Sequence, residues 1–113
     1  MKALFKPFVL LCLLTLAVSA SAQEDYVIDI TNNTGYTVMF LNVSPASTDE
    51  WEEDVMGDEV LMDGDTFRLL LEGYDSPIFD VRLIDEDGDT YTFMGVDVSV
   101  DDLEVTLADL DID

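Results

Sequence analysis

Basic residues and the usual catalytic side chains are scarce in this sequence. It has no histidine, and its four Lys and Arg residues face 26 Asp and Glu residues. Both lysines and the single cysteine lie near the amino terminus, so Arg68 and Arg82 are the only basic residues of 23–113. Two arginines against 26 acidic residues give this part a formal net charge of −24. Such a polyanion repels nucleic acid and anionic lipid, so we expect cations or a basic protein as partners.

The missing residue types also exclude most enzyme chemistry. Nucleophilic catalysis needs an activated Ser, Thr, Cys or Lys beside a base, and residues 23–113 contain no His, Cys or Lys. Zinc sites draw mainly on Cys and His, so they are not expected either. Two carboxylates flanking a cleft are the remaining route, and a domain this small offers little room for such a cleft. We therefore expect a protein that is not an enzyme.

The amino terminus has the pattern of a secretory signal peptide. Lys2 and Lys6 precede an apolar run over residues 8–18, which is followed by small residues that end at Ala22. The run has about 11 residues, against roughly 20 needed to span a bilayer. We predict a signal peptide over 1–22 and an exported protein, periplasmic or extracellular, with no membrane anchor in the mature chain.

Residues 23–113 are predicted to form one acidic domain. Without cysteine they cannot form a disulfide, so a hydrophobic core must hold this short chain together. The acidic residues alternate with Val, Ile, Leu, Phe and Tyr, which distinguishes the chain from a disordered acidic tail. The predicted domain therefore has enough apolar residues for a core.

Apolar residues recur with a period of two, which is the pattern of half-buried strands. Strands are predicted around Tyr26–Ile30, Val38–Phe40, Phe67–Leu71, Phe79–Leu83, Tyr91–Val98 and Leu103–Leu107. Their spacing is typical of small sandwiches. We predict an all-β fold, a small antiparallel β-sandwich of about six to seven strands with one short helix.

Two glycine turns set the predicted strand registers. A three-residue loop with Gly88 in the left-handed conformation pairs Leu83 with Tyr91 and keeps the apolar side chains on one face. A loop of the same type, with Gly35 in the left-handed conformation, predicts a hairpin that pairs Ile30 with Val38. It would also pair Ile28 with Phe40.

The predicted helix begins after Ser47 and ends near Gly57. Ser47 and Glu50 match a capping box, and Gly57 suits the exit of a helix. Trp51 and Val55, four residues apart, would then face the sandwich, with Trp51 over one end of the core. A Trp that stacks on a sugar is the alternative to this core role.

Four segments carry a resemblance to known sequences. They are N-N-T-G-Y-T-V at 32–38, V-S-P-A-S at 43–47, W-E-E-D-V-M-G at 51–57 and D-E-D-G-D at 85–89. Together they resemble a group of small exported bacterial β-domain proteins of uncharacterised function. The resemblance spans most of 23–113 and implies a fold and a compartment, but no activity and no catalytic residue.

Calcium is the most specific candidate ligand. Asp85, Asp87 and Asp89 alternate like the carboxylates that open an EF-hand loop, although Val96 stands where that loop needs its final Glu. The sequence therefore predicts a calcium site at this hairpin without an EF-hand. Other acidic residues that could contribute are Asp63, Asp65, Asp97, Asp101, Asp102, Asp109, Asp111 and Asp113.

Two functional hypotheses remain open. The first is an exported, non-enzymatic binding or envelope-associated module whose acidic loops bind calcium. The second is a salt-adapted acidic domain that binds a protein partner without a metal site, since aspartates serve turns and salt screens their repulsion.

Two smaller expectations concern the surface of the domain. Arg68 and Arg82 are expected to form surface ion pairs, with Asp80 as the partner of Arg82. Met39 and Leu41 are expected to lie under the Trp51 helix, which favours a monomer; otherwise they would form a contact patch for another chain.

Overall fold

The predicted all-β fold is confirmed. The computed structural model describes residues 23–112, and the signal peptide predicted over 1–22 lies outside them. Six strands form two three-stranded sheets. The strands are β1 (Glu24–Asn33), β2 (Val38–Pro45), β3 (Thr66–Tyr74), β4 (Ile78–Asp85), β5 (Thr90–Asp97) and β6 (Leu103–Thr106).

The strand order is β3-β1-β6 in one sheet and β2-β4-β5 in the other. Three of the four strand pairs are antiparallel, but β1 and β6 run parallel, from Ile30 beside Leu103 to Asn33 beside Thr106. The first sheet is therefore mixed, whereas the sequence predicted only antiparallel pairs. A parallel neighbour has no local turn signal, because its connection is long.

The core lies between the two sheets, where alternate side chains of each strand point inward. Its buried apolar residues are Ile28, Ile30, Val38, Leu41, Val43, Met56, Leu61, Leu71, Phe79, Val81, Leu83, Tyr91, Val98 and Val105. The prediction that Phe40 faces the core is wrong. A bulge between Val38 and Phe40 shifts the register, so that Leu41 is buried and Phe40 is 50% exposed.

The β4–β5 hairpin has the predicted register. Leu83 lies opposite Tyr91 and Val81 opposite Phe93, which places all four apolar side chains on the inner face. Gly88 has φ of 84°, the left-handed conformation that this three-residue loop requires. The local pattern was sufficient here because both strands are neighbours in the chain.

The hairpin predicted around Gly35 is wrong. Ile30 lies between Phe67 of β3 and Leu103 of β6, so β1 has no free edge for β2, and the chain crosses to the other sheet. Asn32, fully buried, holds this crossover, because its Nδ2 donates to the carbonyl oxygens of Tyr36 and Leu61 at 2.7 and 2.9 Å.

The helix predicted between Ser47 and Gly57 is also wrong, because these residues are described and are not helical. Residues 51–55 instead run beside the edge of β2, where the Val55 N–H donates to the Leu41 carbonyl at 2.8 Å. Asp54 Oδ1 accepts the Leu41 N–H at 2.9 Å, in place of a neighbouring strand. Five acidic residues in 49–54 would repel one another at helical spacings, whereas the strand edge offers partners.

The helical content of residues 23–112 is a single 3₁₀ turn, Leu107–Asp109. No helix among these residues is long and apolar enough to cross a membrane. After this turn, the chain meets the outer edge of β5, where the Asp111 N–H donates to the Thr90 carbonyl at 2.8 Å. Residues 51–61 and the segment after the 3₁₀ turn therefore cover in part the two edges of the β2-β4-β5 sheet.

Candidate functional site

Asp85 occupies the base of the acidic hairpin and is only 3% exposed. Its Oδ1 accepts the backbone N–H groups of Asp87 and Asp89 at 2.9 and 3.0 Å. Its Oδ2 accepts the hydroxyl of Tyr91 at 2.9 Å. The carboxylate therefore closes the loop and holds it to the core, which is a structural role for a predicted metal ligand.

The pKa of the Tyr91 hydroxyl is raised in the folded protein. Its side chain is fully buried, and burial is the main reason why its pKa rises to about 12. The hydrogen bond to Asp85 and the negative charge of that carboxylate raise the pKa of Tyr91 further. Tyr91 therefore stays protonated and remains a hydrogen-bond donor to Asp85 over the physiological pH range.

Asp87 and Asp89 are exposed at the tip of the same loop. One carboxylate oxygen from each of Asp85, Asp87 and Asp89 lies within 4.8 Å of the others. The structure thus brings the three predicted ligands together. The carboxylate of Asp85 already accepts three hydrogen bonds, whereas those of Asp87 and Asp89 face solvent. Such oxygen atoms suit a hard divalent cation, with water completing the six to eight ligands of calcium.

The other predicted acidic clusters do not assemble. Among residues 23–112, no further group of three Asp or Glu residues comes close enough to hold a metal ion. Instead, single aspartates accept hydrogen bonds from backbone N–H groups. Such contacts join Asp63 to Gly35, Asp97 to Ser99, Asp102 to Asp29 and Asp109 to Thr106.

Asp111 was predicted as a metal ligand of the tail, and it instead fastens the tail to β5. Its Oδ2 accepts the hydroxyls of Thr90 and Thr92 at 2.7 and 2.6 Å. Burial opposes its ionisation, but the hydrogen bonds from the Thr92 and Thr90 hydroxyls and the Thr92 N–H outweigh that and lower the pKa of Asp111. Asp113 lies outside the described residues.

Asp80 and Asn32 are among the buried polar residues that the sequence did not identify. Asp80, 8% exposed, accepts the Gly95 N–H at the irregular part of β5, at 2.9 Å. Asn32 holds the crossover between the sheets. No composition signal distinguishes these residues from exposed Asp and Asn, although Asn32 lies in the segment that was predicted to form the hairpin around Gly35.

Arg68 forms the predicted surface ion pair. Its Nε and Nη2 donate to the two carboxylate oxygens of Asp29 at 2.8 and 3.0 Å, across the β1–β3 pair. The hydrogen bond from Arg68 lowers the pKa of Asp29, and the contact raises the pKa of Arg68 in turn. Because the Arg68 side chain is 73% exposed, such a pair contributes at most about 1 kcal/mol.

Arg82 does not form the predicted ion pair with Asp80. The one ion pair within residues 23–112 is that of Arg68. The Arg82 guanidinium instead lies 4.8 Å from the centre of the Trp51 ring, and its Nη2 donates to Asn42 Oδ1 at 3.4 Å. Trp51 therefore covers an arginine on the outer face of the sheet, and it is not the predicted cover of the core.

Beside Trp51 lies a shallow pocket that Ser44, Asp80 and Met94 also line. Its volume is about 240 Å³. Ligand sites usually hold about 300–1,000 Å³, so this pocket is smaller than most of them. A second depression, of about 530 Å³, lies along residues 51–55 and is also lined by Trp51.

Comparison with known proteins identifies no relative of this chain: no family model, no curated protein and no solved structure matches it.

Proposed function

We propose that the protein is an exported, non-enzymatic binding or envelope-associated module whose acidic surface recognises a cationic partner. The observation that carries this proposal is the charge imbalance of 26 acidic residues against two arginines in residues 23–113. One of the two, Arg68, is already neutralised by Asp29, and the other lies against Trp51. The surface field is therefore negative in nearly every direction, which attracts cations and repels other polyanions.

Only some of the negatively charged side chains are available to bind a partner, because other aspartates accept hydrogen bonds within the fold. Asp85 and Asp111 hold the loop and the tail, whereas the carboxylates of Asp87 and Asp89 accept no hydrogen bond from the rest of residues 23–112 and face solvent. Exposed carboxylates of the second kind are free to contact a partner. The charge thus has two uses, one in building the fold and one at the surface.

Thermal unfolding in different salts tests the attraction of cations. The purified protein is melted in sodium, magnesium and calcium chloride at matched ionic strength. We expect every salt to raise the melting temperature, because cations screen the repulsion within the folded state. A melting temperature that does not respond to any of the three salts would contradict the proposal.

A calcium site at the acidic hairpin is the second candidate, favoured by the approach of Asp85, Asp87 and Asp89 to within 4.8 Å. Because Asp85 already accepts three hydrogen bonds, the site would rely on Asp87 and Asp89. With so few free ligands, we expect a dissociation constant at the weak end of known calcium sites, about 10⁻⁴–10⁻³ M.

The decisive variant is therefore Asp87→Asn with Asp89→Asn, since Asp85→Asn would also change the hydrogen bond from Tyr91 and so alter stability independently of calcium. Saturable stabilisation by calcium beyond that of magnesium, lost in this double variant, would support the site. Asp58→Asn with Glu59→Gln removes the same charge from an exposed segment and serves as the control. Equal effects of calcium and magnesium would eliminate the site and favour the salt-adapted domain that binds a protein partner.

A further inference from the structure

Strand β3 has a free edge over its whole length within residues 23–112. It pairs with β1 on one side, and it is the outermost strand of the β3-β1-β6 sheet. Edge strands expose backbone donors and acceptors that can pair with another strand. In contrast, the outer edges of β2 and β5 are partly covered, by residues 51–61 and by Asp111.

The hydrogen bonds of β1 show which residues of β3 face this free edge. Asn32 exchanges backbone bonds with Asp65 and Gly64, on the β3 side, whereas the Asp29 N–H points toward Asp102, on the β6 side. Even-numbered residues of β1 therefore bond to β3. Since antiparallel partners alternate, the N–H and C=O groups of Thr66, Arg68 and Leu70 point away from β1, toward the free edge. The regular register ends at Leu71, and Glu72 lies at the bulge that follows.

The outer side chains along this edge form a short pattern of opposite charges around an apolar centre. Arg68 and Glu72 are exposed and lie two residues on either side of Leu70, which is 53% exposed. Leu70 pairs with Val27 of β1, itself 48% exposed. Along β3, this apolar pair is flanked by Arg68 and Glu72. Arg68 uses its Nε and one Nη2 hydrogen for Asp29 of β1, so its remaining guanidinium hydrogens are the ones that can reach a second chain.

We propose that β3 pairs antiparallel with β3 of a second copy of this chain, about a two-fold axis at Leu70. This register places Arg68 opposite Glu72 of the second copy, and Glu72 opposite its Arg68. The two Leu70 side chains meet at the axis and extend the Val27–Leu70 contact across both copies. The two three-stranded sheets then form one continuous six-stranded sheet, by the isologous contact of a two-fold dimer.

Neighbouring registers lack this complementarity. An axis at Arg68 or at Glu72 sets two like charges against each other, which destabilises a cross-strand pair. An axis at residue 69 or 71 places Leu70 opposite Arg68 or Glu72. The register at Leu70 alone joins opposite charges and apolar side chains, so the sequence of β3 specifies its own partner.

The high net charge opposes this association over long distances. Two copies of residues 23–113, each of formal charge −24, repel, and salt screens this repulsion beyond a Debye length of about 8 Å at physiological ionic strength. The Arg68–Glu72 contacts act at short range and are weakened less. We therefore expect the dimer to strengthen as sodium chloride is raised from low to physiological concentration, and a monomer to prevail in dilute solution at low salt.

Sedimentation velocity over protein concentrations up to about 1 mM measures this equilibrium. Arg68→Glu and Glu72→Arg each create two like-charge pairs, and each should raise the dissociation constant of the homodimer at least about tenfold. An equimolar mixture of the two variants restores both pairs and should form a heterodimer. The control Asp58→Arg changes the net charge as Glu72→Arg does, away from β3, and should leave the dimer intact.

A backbone variant tests the pairing independently of charge. Because the Leu70 N–H points to the free edge, Leu70→Pro removes a hydrogen bond between the two copies but none to β1. Leu70→Thr retains the N–H and therefore this hydrogen bond. Circular dichroism confirms that each variant is folded. Loss of the dimer in Leu70→Pro but not in Leu70→Thr is expected. A wild-type monomer at every concentration and salt, or no heterodimer from the mixed variants, would overturn the proposal.

Discussion

The substitution Asp85→Ala tests whether the acidic hairpin is built around a structural carboxylate. In the wild type, this buried group accepts two backbone N–H groups of the loop and the hydroxyl of Tyr91. Alanine removes all three acceptor contacts at once. The loop N–H groups can then bind water, but the Tyr91 hydroxyl is buried and loses its partner.

The expected loss of stability follows from these contacts. A buried donor without a partner costs about 1–3 kcal/mol, and a hydrogen bond to a charged group contributes about 1.5–3 kcal/mol. Because the two loop donors recover most of their bonding in water, we expect a total loss of about 3 kcal/mol. That is a large share of the roughly 5–15 kcal/mol that stabilise a typical domain.

Urea denaturation followed by the fluorescence of Trp51, the single tryptophan, measures this loss. Asp85→Asn keeps an acceptor for the loop and should lose only about 1 kcal/mol. Asp87→Ala, at the exposed tip, is the control and should change the free energy of unfolding by less than about 0.5 kcal/mol. If Asp85→Ala were as mild as Asp87→Ala, the structural role of the carboxylate would be refuted.

Three further predictions concern pH and processing. The pKa of folded Tyr91 is raised to about 12, so its contribution to stability is complete below about pH 10 and is lost as pH rises through 12. Thermal melting curves at alkaline pH should show this loss of stability. The loss should be smaller in Tyr91→Phe, which has no hydroxyl to ionise. The pKa values of Asp29 and Asp111 are lowered in the folded protein. Their contributions to stability are therefore present above about pH 4 and are lost as pH falls through the folded pKa values. The urea midpoint should fall less steeply with decreasing pH in Asp111→Asn than in the wild type, and an equal slope would contradict this. Expression of the full chain in a secreting bacterium should yield a mature protein that begins at Gln23, as mass spectrometry would show, whereas a cytoplasmic product that retains Met1 would contradict export.

The sequence predicted the strands well because their signal is local. Alternating apolar residues identify all six strands, and the turn at Gly88 fixes a hairpin between neighbours in the chain. The same reasoning failed at Gly35, because the partners of Ile30 are distant strands, β3 and β6. Turn chemistry shows that the chain reverses, but it does not show which strand becomes the neighbour.

The incorrect helix has a similar cause. The capping signals at Ser47 and Glu50 are real local preferences, yet the edge of β2 needs hydrogen-bond partners, and the segment around Asp54 supplies them. Tertiary contacts commonly override weak helix propensity. The bulge before Phe40 could not be predicted either, because residues 38–41 are all apolar and a shift of one residue leaves no break in the pattern.

The candidate site was only half predictable. Proximity of Asp85, Asp87 and Asp89 follows from their spacing on a hairpin, and the structure brings them together. Composition could not reveal that Asp85 is buried, or that Asp54 and Asp111 accept hydrogen bonds at the edges of β2 and β5. Nor could it reveal that Asp80 accepts the Gly95 N–H within the β4–β5 pair. An acidic residue in a loop has the same sequence signature whether it binds backbone, solvent or a partner.

The most direct test of the acidic binding module is the binding of a fluorescent lysine-rich peptide to the purified protein. Fluorescence anisotropy is measured at several sodium chloride concentrations, with a glutamate-rich peptide of equal length as the control. The negative surface predicts saturable binding of the basic peptide that weakens steadily with salt, and no binding of the acidic peptide. Failure of the basic peptide to bind at low salt, or equal binding of both peptides, would contradict the proposed recognition of cationic partners.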